Sequence, residues 1–363
     1  MTHRLLPCLR PRIFRPLPLL ILLAGTAGAQ HYLQTNLVSN QTGQAAHQDT
    51  NLINGWGMAR SSGSPWWVSD NGTGKSTLYN GSGVAQALIV SIPGAPTGVV
   101  FNGTSSFPLL NGNPARFLFA SEDGTISGWN GGLQAQIVAT TAGAVYKGIA
   151  IATVNGNVQL YAADFHGGHI DVFDTNFRRL THGNGGDDGE DDSFFSGKPR
   201  GFAPFNIQNI GDTLFVAFAK QDAAKHDNVD GPGLGLIGAF TPAGKLIRWF
   251  DHVDGLNAPW GIALAPSEFG TFSHHLLVGQ FGSGEILAFN PASGEFSGKL
   301  LTPGGQRIRL DDGQQTIRLE NSGGSYCELS PHKVRVHAAV DLEIEAPGRG
   351  VVIKGKTIDF RQA

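Results

Sequence analysis

Asn54-Gly-Trp-Gly-Met-Ala59 runs into Pro65-Trp-Trp-Val-Ser-Asp70-Asn-Gly72, and this two-strand phrase returns four more times along the chain. Pro96-Thr-Gly-Val-Val-Phe101 precedes Phe117-Leu-Phe-Ala-Ser-Glu-Asp123-Gly124, and Tyr146-Lys-Gly-Ile-Ala-Ile151 precedes Gln159-Leu-Tyr-Ala-Ala-Asp164-Phe165. Ala203-Pro-Phe-Asn-Ile207 with Thr213-Leu-Phe-Val-Ala-Phe-Ala219 makes the fourth copy. Ala258-Pro-Trp-Gly-Ile-Ala263 with Leu276-Leu-Val-Gly-Gln-Phe281 makes the fifth. A glycine turn and a third strand follow, as in Ser76-Thr-Leu-Tyr79 and Glu285-Ile-Leu-Ala-Phe289, and then a fourth, as in Lys245-Leu-Ile-Arg-Trp249. Anchored on Gly57, Gly98, Gly148, Asn206 and Gly261, the repeats are spaced by 41, 50, 58 and 55 residues. Four short strands per repeat predict an all-β propeller with five recognisable four-stranded blades and a sixth left incomplete. One twisted sheet cannot cover its own two apolar faces, whereas a ring of sheets covers them mutually. A flat sandwich would leave the repeated strand order unexplained.

Composition agrees with this reading. Of 363 residues, 51 are Gly and 15% are charged, too few helix formers for a helical protein. The 40% hydrophobic share excludes intrinsic disorder. Residues 30–305 hold 13 Lys and Arg against 21 Asp and Glu, an acidic balance that argues against nucleic acid as a partner. Residues 306–363 are far denser in charge, with 9 basic and 8 acidic side chains. The change falls at Leu301-Thr-Pro-Gly-Gly305, a turn-rich linker, and a domain boundary is placed there.

The first 29 residues read as a secretory signal peptide. Arg4, Arg10, Arg12 and Arg15 precede an apolar run from Leu17 to Ala24, and Ala27-Gly28-Ala29 offers a cleavage site before Gln30. The run is much shorter than the ~20 residues of a spanning helix, and no later segment is long and apolar enough to cross a membrane. The expected location is therefore periplasmic or extracellular. Once Cys8 leaves with the signal, Cys327 remains alone and no internal disulfide can form.

Asn54-Gly-Trp-Gly57, Trp67-Val-Ser-Asp-Asn-Gly-Thr-Gly74, Gly201-Phe-Ala-Pro-Phe-Asn-Ile-Gln208, Leu256-Asn-Ala-Pro-Trp-Gly-Ile-Ala263 and Phe269-Gly-Thr-Phe-Ser273 carry a resemblance. Over roughly residues 31–302 the chain resembles an uncharacterised family of exported bacterial propellers, some of whose members end in a PEP-CTERM-type anchor. The resemblance implies a six-bladed ring of the NHL-repeat and gluconolactonase-like kind, and implies no activity. The chain departs from it where a sixth blade should open, near residue 311, because no Trp-Gly-like strand appears there. In such rings the N-terminal strand, here Tyr32 to Val38, joins the last blade. Either five blades close the ring, or the tail supplies the missing partners.

The tail itself reads as short strands. Arg307-Ile-Arg-Leu310, Thr316-Ile-Arg-Leu-Glu320 and Tyr326-Cys-Glu-Leu329 lead to a long alternation of Val334, Val336, Ala338, Val340, Leu342, Ile344 and Ala346. Alternation at period two means one buried and one wet face. Ile317-Arg-Leu-Glu-Asn321, Lys333-Val-Arg-Val-His-Ala338 and Asp341-Leu-Glu-Ile-Glu-Ala-Pro-Gly348 resemble repeats of Vgr-like spike and baseplate proteins of contractile injection systems. That resemblance implies a trimeric β-prism or β-helix-like appendage and a homotrimer as partner arrangement. A spike protein needs no signal peptide, so the two halves imply different compartments.

Candidate chemistry is sparse. Asp70, Asp123 and Asp164 are read as ending the second strands of three blades, with Gln280 in the same place in another. A carboxylate ring could hold Ca²⁺ through oxygen ligands, while the alternative is that each Asp caps its own turn. Trp56, Tyr146, Phe205 and Trp260 open the inner strands and could present a stacking surface to a sugar or other flat ligand in the channel. Packing between blades is the competing role. Five acids between Asp187 and Asp192 read as a solvated loop, and His166, His169, His274 and His275 lack zinc spacing. No nucleophile elbow or phosphate loop occurs, and no catalytic residue or cofactor is assigned. The first functional reading is an exported, non-enzymatic propeller that binds a small molecule, glycan or protein. Its rivals are a gluconolactonase-like metal-dependent hydrolase and the tip or receptor-binding component of an injection system.

Secreted material is expected to begin at Gln30, or within a residue or two, when its N-terminus is sequenced. A cytoplasmic product that retains Met1 would overturn export.

Overall fold

The computed structural model describes residues 32–180 and 199–301, together with four short strands of the tail. The signal segment, the acidic loop at 187–192 and residues 338–363 lie outside the described residues. Five antiparallel four-stranded sheets follow one another in chain order, each an up-and-down meander. Blade 1 comprises Gly55–Ala59, Trp66–Asp70, Lys75–Tyr79 and Val90–Ser91; blade 2 comprises Pro96–Phe101, Phe117–Ser121, Thr125–Trp129 and Gln136–Thr140. Blade 3 is Tyr146–Val154, Asn157–Asp164, His169–Phe173 and Arg179–Leu180, and blade 4 is Phe202–Ile210, Thr213–Lys220, Gly235–Phe240 and Leu246–Trp249. Blade 5 is Pro259–Leu264, Leu276–Gln280, Ile286–Phe289 and Phe296–Lys299. The all-β propeller expected from the repeats is the fold observed.

Successive blades are joined by four apolar layers. Trp67 and Leu78 of blade 1 meet Val99, Phe117 and Phe119 of blade 2. Leu118 and Ile126 on the other face of blade 2 meet Ile149, Leu160 and Phe173 of blade 3. Tyr161 and Val172 then pack on Ile207, Val216 and Phe218, and Phe215 and Ile237 on Val278 and Phe289. Both faces of a middle blade are therefore apolar, which is why Phe117–Ser121 and Thr213–Lys220 are near-continuous hydrophobic runs rather than alternations.

Near the axis the inner strands touch backbone to backbone. A Cβ on Gly57 would come within 2.6 Å of the Thr97 carbonyl oxygen and 2.7 Å of the Val99 nitrogen. One on Gly98 would meet the Ile149 nitrogen at 2.8 Å and the Gly148 Cα at 2.9 Å. Gly148 in turn abuts Asn206, whose Nδ2 donates to the Trp260 carbonyl at 2.7 Å. Gly57, Gly98 and Gly148 are thus points where one blade leans on the next, and glycine is required at these three anchors for lack of room.

The N-terminal segment ties the two end blades. The Tyr32 backbone N–H donates to Leu301 at 2.7 Å, and its ring stacks on Phe269 at 4.7 Å. Val38–Ser39 then pairs in parallel with His47–Gln48 rather than extending blade 5. In the tail, Arg307–Asp311, Thr316–Glu320, Tyr326–Leu329 and Val334–His337 form one further antiparallel four-stranded sheet. The strand expected to continue from Val334 to Ala346 is described only as far as His337.

Gly98→Ala is expected to destabilise the fold by ~1–3 kcal/mol in chemical denaturation, the usual cost of overpacking. Gly63→Ala, where nothing lies within 4 Å, should stay within ~0.5 kcal/mol of wild type.

Candidate ligand site at the channel axis

Every inner strand carries a β-bulge at the same place. The pairing register slips between Gly55 and Met58, Pro96 and Val99, Tyr146 and Gly148, Pro204 and Asn206, and Pro259 and Gly261. A bulge inserts one unpaired residue and re-aims its side chain. The residue just before each anchor is accordingly Trp56, Thr97, Lys147, Phe205 or Trp260.

Four of these five converge. The Trp56 ring lies edge-on to Trp260 at 5.4 Å and to Phe205 at 5.8 Å, and Phe281 sits 5.1 Å from Trp56. Phe165 packs on Phe205 at 5.1 Å. The Lys147 side chain is about 1% exposed, and its ammonium sits 5.3 Å over the Trp56 ring. It pairs with Glu122 and, at 3.2 Å, with Asp227. Glu122 also accepts from Asn71 Nδ2 at 3.0 Å, and Trp260 Nε1 donates to the Lys147 carbonyl at 2.9 Å. Trp56 Nε1 is buried with no hydrogen-bond partner among the described residues. Phe281 is half exposed, so the cluster reaches solvent on one side. Ala258, two residues before Trp260, holds a left-handed φ of 47°, which a residue with a Cβ seldom adopts.

Of the four aromatic residues that the sequence singles out, Trp56, Phe205 and Trp260 come together in one cluster. Tyr146 does not, because the bulge hands the axial position to Lys147. Tyr146 is fully buried in the layer between blades 2 and 3, its hydroxyl 2.5 Å from Asp171 Oδ2 and 2.7 Å from Thr141. Burial, with Asp171 beside it, pushes the phenol far up. Lys147, Glu122, Phe281 and Asp227 were missed by reading strand starts. Aligning the repeats on Gly57, Gly98 and Gly148 and stepping back one residue would have found Lys147.

The three aspartates are not brought together. Asp123 lies two residues past its strand, in the turn, where Oδ1 accepts from Thr125 N at 3.2 Å and Thr125 Oγ1 at 2.6 Å. Ser121 holds the register position opposite Pro96 instead. Asp164 Oδ1 accepts from the Val145 and Gly167 amides, both at 3.0 Å. Both residues act as turn caps. Asp164 also lies near His169 and Asp171, a trio whose ligand atoms fall within 4.8 Å of one another. Asp171 is already engaged by Arg179 at 2.8 Å, by Tyr146 and by His169 Nε2 at 3.2 Å. The hydrogen bond to Asp171 holds His169 above the usual imidazole range. Among the described residues a second trio, Glu122, His226 and Asp227, has metal-ligand spacing, but the Lys147 ammonium already occupies its carboxylates. His275 Nδ1 lies 3.0 Å from the Ser273 carbonyl, away from either trio.

Asp70 is different from both. It is fully buried opposite Gly55, and neither carboxylate oxygen has a hydrogen-bond partner among the described residues. Burial pushes its carboxyl up to about 7, against the lowering influence of the neighbouring Thr77 and Lys75 and with a smaller rise from the charge of Asp49. The unfolded chain loses this proton near 3.8 and the folded chain near 7, so stability falls as pH rises through that window and the full penalty is present above it. Asp70→Asn should raise the melting temperature at pH 8, corresponding to ~2–4 kcal/mol, and change it little at pH 4. Equal effects at both pH values would mean that the carboxylate is solvated or paired.

No family model matches the chain. Among solved structures it is similar to a streptogramin B lyase, at 14% identity over 81% of this chain and 85% of that one, with a TM-score of 0.46. Virginiamycin B lyase from Staphylococcus aureus is similar at 14% identity over 81% of this chain and 88% of that one, with a TM-score of 0.43. Among curated proteins it is 36% identical to Uncharacterized protein L690 of Acanthamoeba polyphaga mimivirus, over 76% of this chain and 75% of that protein. It is 34% identical to Uncharacterized protein R648 of the same virus, over 76% of this chain and 70% of that protein. The chain belongs to the same protein family as these two mimivirus proteins.

Proposed function

We propose that this chain is an exported, non-enzymatic binding propeller whose axial cluster takes a saccharide or a similarly flat polar ring. The observation that supports this reading is the meeting of Trp56, Phe205, Trp260 and Phe281 in one cluster, with a buried ammonium over the face of Trp56. Aromatic faces cover the apolar side of a sugar ring, while charged groups and N–H donors beside them bond its hydroxyls. Among the described residues Trp56 Nε1 is a donor lacking an acceptor, and Lys147, over the Trp56 ring, with its partners Glu122 and Asp227 supplies both signs of charge. Their mutual pairing fits recognition better than acid–base work, since each ionised group already has its counter-charge.

The hydrolase reading has one observation in its favour, the 4.8 Å convergence of Glu122, His226 and Asp227. A divalent ion, Ca²⁺ included, would have to displace Lys147 from both carboxylates. Export carries over as part of the proposal from the basic and apolar leader at residues 1–29.

A panel of mono- and oligosaccharides titrated against the purified protein tests the reading through tryptophan fluorescence. At least one is expected to shift the emission, with Trp260→Ala weakening binding by about tenfold or more, as for a central aromatic anchor. Failure of every sugar at millimolar concentration, or affinity indifferent to both Trp56→Ala and Trp260→Ala, would remove the axial cluster as the site.

A further inference from the structure

Equivalent pieces of all five blades meet at the aromatic cluster: the connections between second and third strands. These are residues 71–74, 122–124, 165–168 and 281–285 in blades 1, 2, 3 and 5. They supply Asn71 and Glu122 to the charged edge of the cluster, and Phe165 and Phe281 to its rings. In blade 4 the same connection runs from 221 to 234, about ten residues longer than the others, and it supplies Asp227.

Both stems of the long connection are fixed. Gln221 Nε2 donates to the Phe165 carbonyl at 2.5 Å, and the Gly231 amide donates to Asn257 Oδ1 at 2.7 Å. Between the stems, residues 222–227 close on themselves. The Asp222 amide donates to the Asp227 carbonyl at 2.9 Å, the Lys225 amide to the Asp222 carbonyl at 3.1 Å, and the His226 amide to Asp222 Oδ1 at 3.0 Å. Residues 223–227 are exposed. Among the described residues this tip reaches another blade through a single polar contact, Asp227 Oδ1 with Lys147 Nζ at 3.2 Å. The two carboxylates on that ammonium are therefore unequal. Glu122 is 16% exposed and is held by Asn71, whereas Asp227 is 66% exposed and ends a self-contained turn. One is a fixed partner and the other is exchangeable.

We propose that Asp227 occupies the place of a ligand's carboxylate, and that the cluster takes acidic sugars, uronates whose carboxylate displaces Asp227 and pairs with Lys147. The proposal rests on the saccharide reading and narrows it to one substrate class. A neutral ring can lie against the half-exposed Phe281 but cannot engage Lys147, whose side chain is about 1% exposed and already holds two carboxylates. A uronate can, because displacement keeps the charge around the buried ammonium constant, one carboxylate leaving as another arrives. Such an exchange costs far less than stripping a buried ion of its partner. Trp56, whose ring face lies against that ammonium, has in Nε1 a donor without an acceptor among the described residues, available to a hydroxyl of the same sugar. The tip of the long connection is then a built-in competitor. Uronate binds only the fraction of molecules whose tip has lifted, and its apparent affinity falls by that fraction.

Matched sugars titrated by tryptophan fluorescence test the exchange: glucose with glucuronate, and galactose with galacturonate. In the wild type at least one uronate is expected to bind about tenfold more tightly than its neutral partner, a charge-assisted bond less the cost of displacing the tip. Asp227→Ala, a change at an exposed side chain, should widen that preference about three- to fivefold, the strength of an exposed ion pair. Trypsin reads the tip without any sugar. Followed by mass spectrometry, cutting after Lys225 should be about three- to fivefold faster in Asp227→Ala than in wild type. Sugars bound without preference for the acid, a preference that Asp227→Ala leaves unchanged, or equal cutting rates would each overturn the exchange and leave the saccharide reading standing. Failure of every sugar with both proteins would remove the saccharide reading and this proposal together.

Discussion

The contact on which the rest of this molecule depends is the backbone-to-backbone approach of neighbouring inner strands. At Gly57, Gly98 and Gly148 the next blade's main chain stands where a Cβ would be. That proximity fixes how closely the inner edges of the blades gather. The wider outer halves of the sheets are left to be filled by large side chains such as Trp67, Tyr161 and Phe289. Small residues at the hub and bulky ones outside produce a wedge, and wedges in series produce a ring. Where the side-chain amide of Asn206 replaces a hydrogen, the contact becomes a hydrogen bond to the Trp260 carbonyl, so even the exception preserves the approach.

Charge is managed very differently at two buried places. Lys147 is buried with its ammonium over the face of Trp56, and an isolated ammonium there would cost several kcal/mol of lost hydration. Glu122, Asp227 and the face of Trp56 offset that cost. Asp70 has no counter-charge paired with it among the described residues, and burial raises its carboxyl to about 7, so that near neutral pH it is divided between the acid and the ion. One site keeps an ion by surrounding it with counter-charges and a ring face; the other gives up the ion as the pH falls below about 7. Asp171 follows the first course, held below the usual carboxylate range, against the effect of burial, by hydrogen bonds from His169 and Tyr146 and by the charge of Arg179.

Much of the fold was readable before any coordinates, because repetition is a signal that survives sequence divergence between blades. Strands such as Thr213–Lys220 and His169–Phe173 lie where their apolar runs predict. The site was legible only in part, and the losses have one cause. Counting from strand starts presumes regular pairing, whereas each inner strand carries an extra residue that breaks the register. The repeats therefore point to Tyr146 where the structure brings in Lys147, and to a strand position for Asp123 that belongs to Ser121. Glu122 and Asp227 were illegible for another reason. Their role arises from a meeting of blades 2, 3 and 4 in space, and nothing local marks it.

The bulges also separate two duties that a regular strand would force onto one residue. Packing between blades is carried by paired residues on either side of the bulge, while the bulged residue itself belongs to no ladder. Its chemical identity is consequently free of the demands of the sheet, and the chain shows this by using an indole twice, a hydroxyl, an ammonium and a phenyl ring at equivalent points. The hub behaves as a set of sockets on a common frame. Exchanging residues among Trp56, Thr97, Lys147, Phe205 and Trp260 is a route to new recognition properties in which the scaffold need not be rebuilt each time.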